Sequence, residues 1–314
     1  MKRFTSLTLA MTLAVALAPG FALAKDGQIK KIGLAVPNLS ADFFVQIATG
    51  VQNYGKEKGI DIITVDAKDD TNTQVSQVQD LMTQGIDAFI YIPAGAAAAA
   101  VPTRLARQAG IPVVNVDRVP KGEPGDTFIA GESVKSSYQV CSYLIEQAGG
   151  SGEMFIIHGQ KGTTPEMDRY KGCIEAVKEH PEVKIVAEQW SERWSQDEGF
   201  SITQNLLQAH PNVKIIFGQA DGIAMGAAKA VQVANLTDQV VVGGYDGDMT
   251  ALQALAKCEK PFIVTATQRT REMGRLAVDS ALEIAAGKTV PPEQITVAAL
   301  TTCEDAKGYY ENHP

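Results

Sequence analysis

Charged and aromatic side chains follow several apolar runs of this sequence closely, in positions where they could bind a small molecule. Asp117 and Arg118 come directly after PVVNV (112–116), and Asp246 comes shortly after VVVGG (240–244). Trp194 follows the run VKIVAEQ (183–189). Carboxylate and guanidinium groups form charge-assisted hydrogen bonds with hydroxyl groups, and aromatic rings pack against the apolar C–H face of a sugar. The combination therefore indicates carbohydrate binding.

Other runs are followed by residues of the same kinds. These are Asn38, Phe43 and Phe44 after KKIGLAV (30–36), Arg169 after EMFIIH (153–158), Gln219 and Asp221 after VKIIFG (213–218), Tyr245 beside Asp246, and Gln268 at the end of FIVTATQ (262–268). Neighbours on a helix point about 100° apart, so we expect one of the two phenylalanines to pack inward and the other to line the ligand site. Taken singly, each Asp or Asn could equally be a turn or helix-cap residue, and Trp194 could pack between domains.

The elements that must position these residues alternate along the chain. Apolar runs such as IDIITV (60–65), AFIYI (88–92) and TFIAG (127–131) predict buried strands, and amphipathic stretches between them predict helices. Gly59, Gly85 and Gly110 each follow a helical stretch and precede a strand, as C-terminal caps do. This alternation predicts an α/β protein with parallel sheets in βαβ units.

A break near Gly131 divides the predicted elements into two similar series. About 290 residues follow the first 24, and a chain of that length usually forms more than one hydrophobic core. Ligands of parallel α/β sheets bind beyond the carboxyl ends of the strands. Two lobes of this type predict a pocket in the cleft between them.

Motifs for catalysis and for metals are missing from the sequence. It has no G-x-S-x-G, no H-E-x-x-H, no phosphate-binding loop of the G-x-x-x-x-G-K-[ST] type and no C-x-x-C pair. Of the four histidines, His158 ends a strand and is the candidate for the cleft. We therefore expect no catalytic residue, no metal and no cofactor.

The first 24 residues have the features of an export signal. Lys2 and Arg3 precede an apolar stretch, and Ala22-Leu23-Ala24 fits a cleavage site. Cleavage there would leave 26 basic and 36 acidic side chains, a formal charge of −10, which disfavours nucleic acid as a partner. Four cysteines in an exported chain permit disulfides in three pairings, and buried free thiols are the alternative.

Several segments together resemble the periplasmic sugar-binding proteins of ABC importers, in their ribose-binding-like branch. The segments are LSADFF, VNVDR, IIHGQKGTTPEMDRYKG, QNLLQAHPNVKIIFGQADGIAMGA, VVVGGYDG and VTATQ, and they span nearly all of 30–300. The resemblance implies the type I periplasmic binding protein fold, with two Rossmann-like lobes joined by a three-segment hinge. It places the crossovers near Ala130–Glu132, Ala266–Thr270 and Leu300–Thr302, and implies lobes of 25–130 plus 269–300 and of 131–268 plus 301–314.

The resemblance also implies roles for single residues. One phenylalanine ring would stack on the sugar, Asp117 and Arg118 would bind adjacent hydroxyls, Trp194 would face them from the second lobe, and Asp246 and Gln268 would complete the polar ring. The cysteine positions in this fold favour Cys141–Cys173 and Cys258–Cys303.

The chain departs from the ribose-binding pattern at four positions. Pro37, Ala41, Met167 and Ala220 stand where ribose binders carry polar side chains, although Arg169 lies two residues after Met167. The resemblance thus implies eleven ligand residues: Asn38, Phe43, Phe44, Asp117, Arg118, Met167, Arg169, Trp194, Ala220, Asp246 and Gln268. A hydroxyl left without a partner costs binding free energy, so we expect a different sugar or a polyol as ligand.

The resemblance implies a monomer in the periplasm that delivers a sugar or polyol to a membrane permease. A sensor that presents its sugar to a chemoreceptor is an alternative. A glycoside-cleaving enzyme that uses Asp117 and Asp246 is a further, less favoured alternative. A regulator of the lactose-repressor type would need an N-terminal helix-turn-helix, where this chain has the export signal.

Overall fold

The computed structural model describes residues 28–312, so the predicted export signal lies outside the described residues. The chain forms two six-stranded sheets, each covered by helices on both faces. Within the described range, no helix has both the length and the apolar character needed to cross a bilayer. The same residues contain no group of three or more His, Cys, Asp or Glu side chains that could hold a metal ion.

The first sheet is parallel throughout. Its strands, in spatial order, are β11 (Glu293–Thr296), β5 (Thr127–Gly131), β4 (Val113–Val116), β3 (Ala88–Tyr91), β1 (Lys31–Val36) and β2 (Asp61–Asp66). The helices packed on it are α1 (Asp42–Glu57), α2 (Thr71–Thr83), α3 (Ala100–Gln108) and α9 (Thr270–Ala285). We call this unit the first lobe.

The second sheet has the corresponding strand order, but its edge strand β12 (Ala299–Thr302) is antiparallel to its neighbour. The order is β12, β10 (Phe262–Thr267), β9 (Val241–Gly243), β8 (Val213–Gly218), β6 (Gly152–His158) and β7 (Val183–Trp190). Its helices are α4 (Ser133–Gln147), α5 (Thr164–Lys178), α6 (Gln196–Ala209), α7 (Asp221–Val233), α8 (Met249–Ala256) and α10 (Cys303–Asn312). This unit is the second lobe.

The burial of the strands explains why continuous apolar runs formed them. In β1, five of the six residues are buried, because helices cover both faces of the sheet. The predicted capping glycines Gly59, Gly85 and Gly110 all have φ of 70–74°, the left-handed conformation that ends a helix before the next strand. Local sequence therefore specified ten of the strands within two residues at each end.

The chain passes from one lobe to the other three times: after β5, after β10, and between β11 and β12. The third passage was predicted near Leu300–Thr302, and the chain crosses slightly earlier. Those residues lie in β12, which pairs antiparallel with β10, so the passage occurs at Val297 and Ala298. The short polar strands β11 and β12 were missed because neither has a continuous apolar run; β11 reads EQIT.

Two disulfides stabilise the second lobe. Cys141 on α4 is bonded to Cys173 on α5, with 5.3 Å between their Cα atoms. Cys258, just after α8, is bonded to Cys303 at the start of α10, with a Cα separation of 5.1 Å. This is the pairing that the family resemblance favoured, and the described residues contain no free cysteine.

Candidate functional site

A cavity lies between the carboxyl ends of the strands of the two lobes. Its empty volume is about 380 Å³, counting the space at its mouth that is open to solvent. Eight of the eleven predicted ligand residues line it: Phe43, Phe44, Asp117, Arg118, Arg169, Trp194, Ala220 and Asp246. The topology therefore brings together residues that lie up to 203 positions apart in the chain.

The two phenylalanines begin α1 at the edge of the cavity. Their rings meet edge to face, with 5.2 Å between centroids, and the residues are 6% and 5% exposed. The expectation that one packs inward and the other faces the cleft was wrong. Both belong to the hydrophobic core of the first lobe, and both line the cavity. This is possible because they lie in the first turn of the helix, where the helix end itself borders the cavity.

Asp117 and Arg118 form an ion pair on the first-lobe wall. Arg118 Nε lies 3.3 Å from Asp117 Oδ2, and both side chains are almost fully buried. Burial raises the pKa of Asp117, and the neighbouring guanidinium opposes that rise. Arg118 is fixed by donating from Nη1 to the carbonyl of Pro93 at 2.9 Å and, across the cleft, to Gln160 Oε1 at 3.4 Å.

A second ion pair lies on the opposite wall. Arg169 Nη2 is 3.0 Å from Asp246 Oδ1, and the Arg169 guanidinium carbon lies 3.9 Å from the ring centroid of Tyr245. Burial raises the pKa of Asp246 to about 6, although Arg169 acts in the opposite direction. Each wall therefore presents one carboxylate and one guanidinium group to the cavity, and hydroxyl groups could bridge such pairs.

Three of the eight described non-glycine residues with positive φ line this cavity. Asp117 and Trp194 have φ of 62° and 58°, and Asp246 has φ of 120°, a region that residues other than glycine rarely occupy. Such conformations persist only where the surroundings enforce them, and they are typical of ligand-binding sites. The strain supports a functional role for these three positions independently of their side-chain chemistry.

Trp194 occupies space that two glycines leave free. Any Cβ at Gly159 would overlap the indole ring, and a Cβ at Gly222 would lie 2.7 Å from the Trp194 carbonyl oxygen. The guanidinium carbons of Arg118 and Arg169 lie 5.6 Å and 5.5 Å from the ring centroid. Trp194 is therefore held at a fixed position in the second-lobe wall.

Three predicted ligand residues do not line the cavity. Met167 is 53% exposed, since α5 turns this position away from the cavity and presents Arg169 instead. Asn38 uses its side-chain oxygen to accept from the backbone N–H groups of Ser40 and Ala41, so it acts as a turn residue. Gln268 donates from Nε2 to Asp246 Oδ1 at 3.0 Å and supports that carboxylate from behind.

His158 is also outside the cavity wall. Its ring is stacked on Trp190 at 4.4 Å and lies between Glu166 and Glu188, each about 3 Å from one ring nitrogen. It therefore belongs to the interior of the second lobe, and the one histidine that the sequence offered as a candidate for the cleft does not line the cavity.

Sequence reasoning missed Asp248 as a cavity residue, although it lies two positions after Asp246 in the same GGYDGD segment. Asp221 is fully buried behind this loop and holds it in place. Its carboxylate accepts from the backbone N–H groups of Gly247 and Asp248, both at 2.8 Å, and from Thr265 Oγ1. Burial and the nearby Asp246 raise the pKa of Asp221 to about 8.

The chain is similar in sequence to proteins of known family. The family model described as "Periplasmic binding protein domain" matches residues 32–289. The chain is 29% identical to the ribose import binding protein RbsB of Bacillus subtilis (strain 168), over 98% of this chain and 100% of that protein.

Two solved structures are also similar to the chain. One is an ABC transporter solute-binding protein from Mycobacterium smegmatis with bound glycerol, with a TM-score of 0.85 and 28% identity. The match covers 90% of this chain and 97% of that protein's chain. A periplasmic solute-binding protein from Actinobacillus succinogenes 130z with bound D-allose has a TM-score of 0.83 at 27% identity, covering 89% and 100%.

Proposed function

We propose that this chain, which belongs to the periplasmic binding protein family, captures a neutral monosaccharide or polyol in the cavity between its lobes. It then delivers the molecule to the membrane permease of an ABC importer. The observation that carries the proposal is the pair of opposed walls, each with one Asp–Arg ion pair, around a cavity that also contains Phe43, Phe44 and Trp194. The bound sugar and polyol in the similar structures support the same ligand class.

The proposed mechanism is capture by closure, without a chemical step. Hydrogen bonds join the lobes around the cavity: the backbone N–H of Val119 donates to Thr164 Oγ1 at 3.2 Å, and Arg118 donates to Gln160. These contacts cross the cleft, so they would break when the lobes rotate apart about the three connecting segments. Only the closed form would present both lobes together to a permease.

The lobes in this proposal comprise, within the described residues, 28–130 plus 269–298 and 131–268 plus 299–312, with the last boundary moved to the observed passage. We further propose that residues 1–24 are removed on export, that the mature protein is a periplasmic monomer, and that presentation to a chemoreceptor is compatible with transport.

Ribose remains disfavoured as the ligand in this proposal, but only two of the four departures from the ribose-binding pattern support this. Of the four departures from the ribose-binding pattern, Ala41 and Ala220 line the cavity, whereas Met167 is exposed and Pro37 is outside the cavity lining. Two polar partners would therefore be missing, and each hydroxyl left unpaired costs about 1–3 kcal/mol.

A thermal-shift screen tests the proposal. The panel should contain D-ribose, D-allose, xylitol, myo-inositol, glycerol, pentoses and deoxy sugars, with calorimetry on each compound that raises the melting temperature. We expect a stabilising sugar or polyol other than ribose. The largest shift with ribose would refute the ribose inference, and no shift with any compound would refute the ligand class. Release of product from an aryl glycoside would instead favour the enzyme alternative.

A further inference from the structure

Three buried N–H donors in the cavity wall have no hydrogen-bond partner among the described residues. They are Arg169 Nε, Trp194 Nε1 and Arg118 Nε, and the last of these still has its 3.3 Å ion-pair contact with Asp117. Five other buried side-chain atoms of the described chain lack a partner, and none of their residues lines this cavity. A buried donor left without a partner is unfavourable, so Arg169 Nε and Trp194 Nε1 in one cavity indicate that a bound molecule supplies acceptors.

Trp194 differs from the two arginines in the number of N–H groups that it can donate. An arginine has several N–H groups, and those of Arg118 and Arg169 already contact Asp117, Pro93, Asp246 and the carbonyl of Gln219. An indole has a single N–H and no acceptor atom. No described residue accepts from this N–H, so an acceptor on a ligand in the cavity can satisfy it.

The position of this donor is fixed by the fold. The indole ring lies against Gly159, which has no side chain to displace it, and the two guanidinium groups flank it at 5.5–5.6 Å. Beside it, Ala220 contributes only a methyl group to the same cavity. At the place where the ribose-binding pattern has an asparagine, this chain thus has an alanine and a neighbouring N–H donor.

We propose that the indole N–H of Trp194 donates a hydrogen bond to a hydroxyl oxygen of the ligand and determines its specificity. This inference rests on the proposed function and narrows its ligand class. The hydroxyl must direct a lone pair at the indole and its own proton at a carboxylate of the same cavity. A ligand that is deoxy at this carbon would leave the indole donor unpaired and would be rejected.

The experiment removes the N–H and keeps the ring. In a Trp190→Phe background, Trp194 is the sole tryptophan, and 3-benzothienylalanine can replace it as an isostere without the donor. Trp190 lies outside the cavity, so Trp190→Phe itself should bind as the natural chain does. Calorimetry with D-ribose, D-allose, xylitol and myo-inositol should show at least a tenfold loss of affinity for each compound that binds the Trp190→Phe protein.

A spectroscopic readout separates hydrogen bonding from a structural role. In the Trp190→Phe protein, the indole ¹⁵N–¹H resonance should move downfield on titration with the same compounds. Unchanged affinity in the isostere together with an unmoved resonance would overturn the role of Trp194 and leave the proposed function standing. If no compound of the thermal-shift panel binds either the natural chain or the Trp190→Phe protein, both proposals are overturned.

Discussion

The side chain of Asp42 in the first lobe caps helix α8 of the second lobe. Asp42 Oδ2 accepts a hydrogen bond from the backbone N–H of Met249 at 2.9 Å, at the first residue of α8. The local cap residue, Asp248, makes no side-chain cap of its own. The helix thus obtains its N-terminal cap across the cleft, and only when the lobes are together.

Replacing Asp42 should therefore weaken ligand capture. Asp42→Ala removes the interlobe cap, and losing a cap costs about 0.5–2 kcal/mol, which corresponds to an affinity loss of about 2- to 30-fold. Calorimetry with the compound selected by the thermal-shift screen measures it. Asp61→Ala, at an exposed position of β2, is the matched control. Equal affinities for the two variants would show that the contact does not contribute to closure.

Asp117→Ala should abolish binding. The substitution leaves the buried Arg118 guanidinium without its 3.3 Å partner and deprives ligand hydroxyls of a carboxylate. We expect a loss of at least about 100-fold, in line with the cost of removing one partner of a buried charged pair. Near-normal affinity by calorimetry would remove Asp117 from the site.

Arg169 and Met167 should differ sharply although both lie on α5. Arg169→Met breaks the 3.0 Å ion pair with Asp246 and removes a cavity donor, so binding should fall by at least about 100-fold. Met167→Ala changes an exposed side chain and should leave the affinity within about twofold. A large loss in the Met167 variant would mean that the second-lobe wall is built differently.

Ligand affinity should decrease at acidic pH. The pKa of Asp246 is raised to about 6, and its carboxylate form accepts from Arg169 and Gln268 and faces the cavity. Protonation increases as the pH falls through 6, so affinity at pH 5 should be about tenfold lower than at pH 7.5. Asp246→Asn should bind more weakly, with little change between these pH values. An equally steep pH profile in that variant would assign the effect to another group.

Asp221 should make the stability of the fold pH-dependent. Its pKa is about 8 in the folded protein, above the ordinary value of 3.8, so the folded state holds a proton that the unfolded state has lost. The contribution of Asp221 to stability is complete below about pH 4 and is lost as the pH rises towards 8, by at most about 1.4 kcal/mol per pH unit.

The variant Asp221→Asn resembles the protonated side chain and can still accept from the backbone N–H groups of Gly247 and Asp248. Urea unfolding at pH 5 and pH 8 should therefore show a smaller loss of unfolding free energy in the variant than in the natural chain. Parallel pH profiles would contradict the raised pKa.

Sequence patterns alone predicted the two series of strands and helices and most of the residues that line the cavity. Residues such as Asp117, Arg118 and Asp246 were identifiable because parallel strands end at a common edge, so a residue that follows each strand must lie near the others. This argument needs only the periodicity of the chain and no knowledge of individual contacts.

The directions of single side chains and the placement of β11 depend on the tertiary structure. Met167 is exposed on the same helix that directs Arg169 into the cavity, and Gln268 donates to Asp246 instead of lining the cavity. The polar strand β11 pairs with β5 in the first sheet. The indole N–H of Trp194 is buried, with no partner among the described residues. Such outcomes depend on the direction of single side chains and on packing between distant segments, and local sequence patterns do not specify either of these.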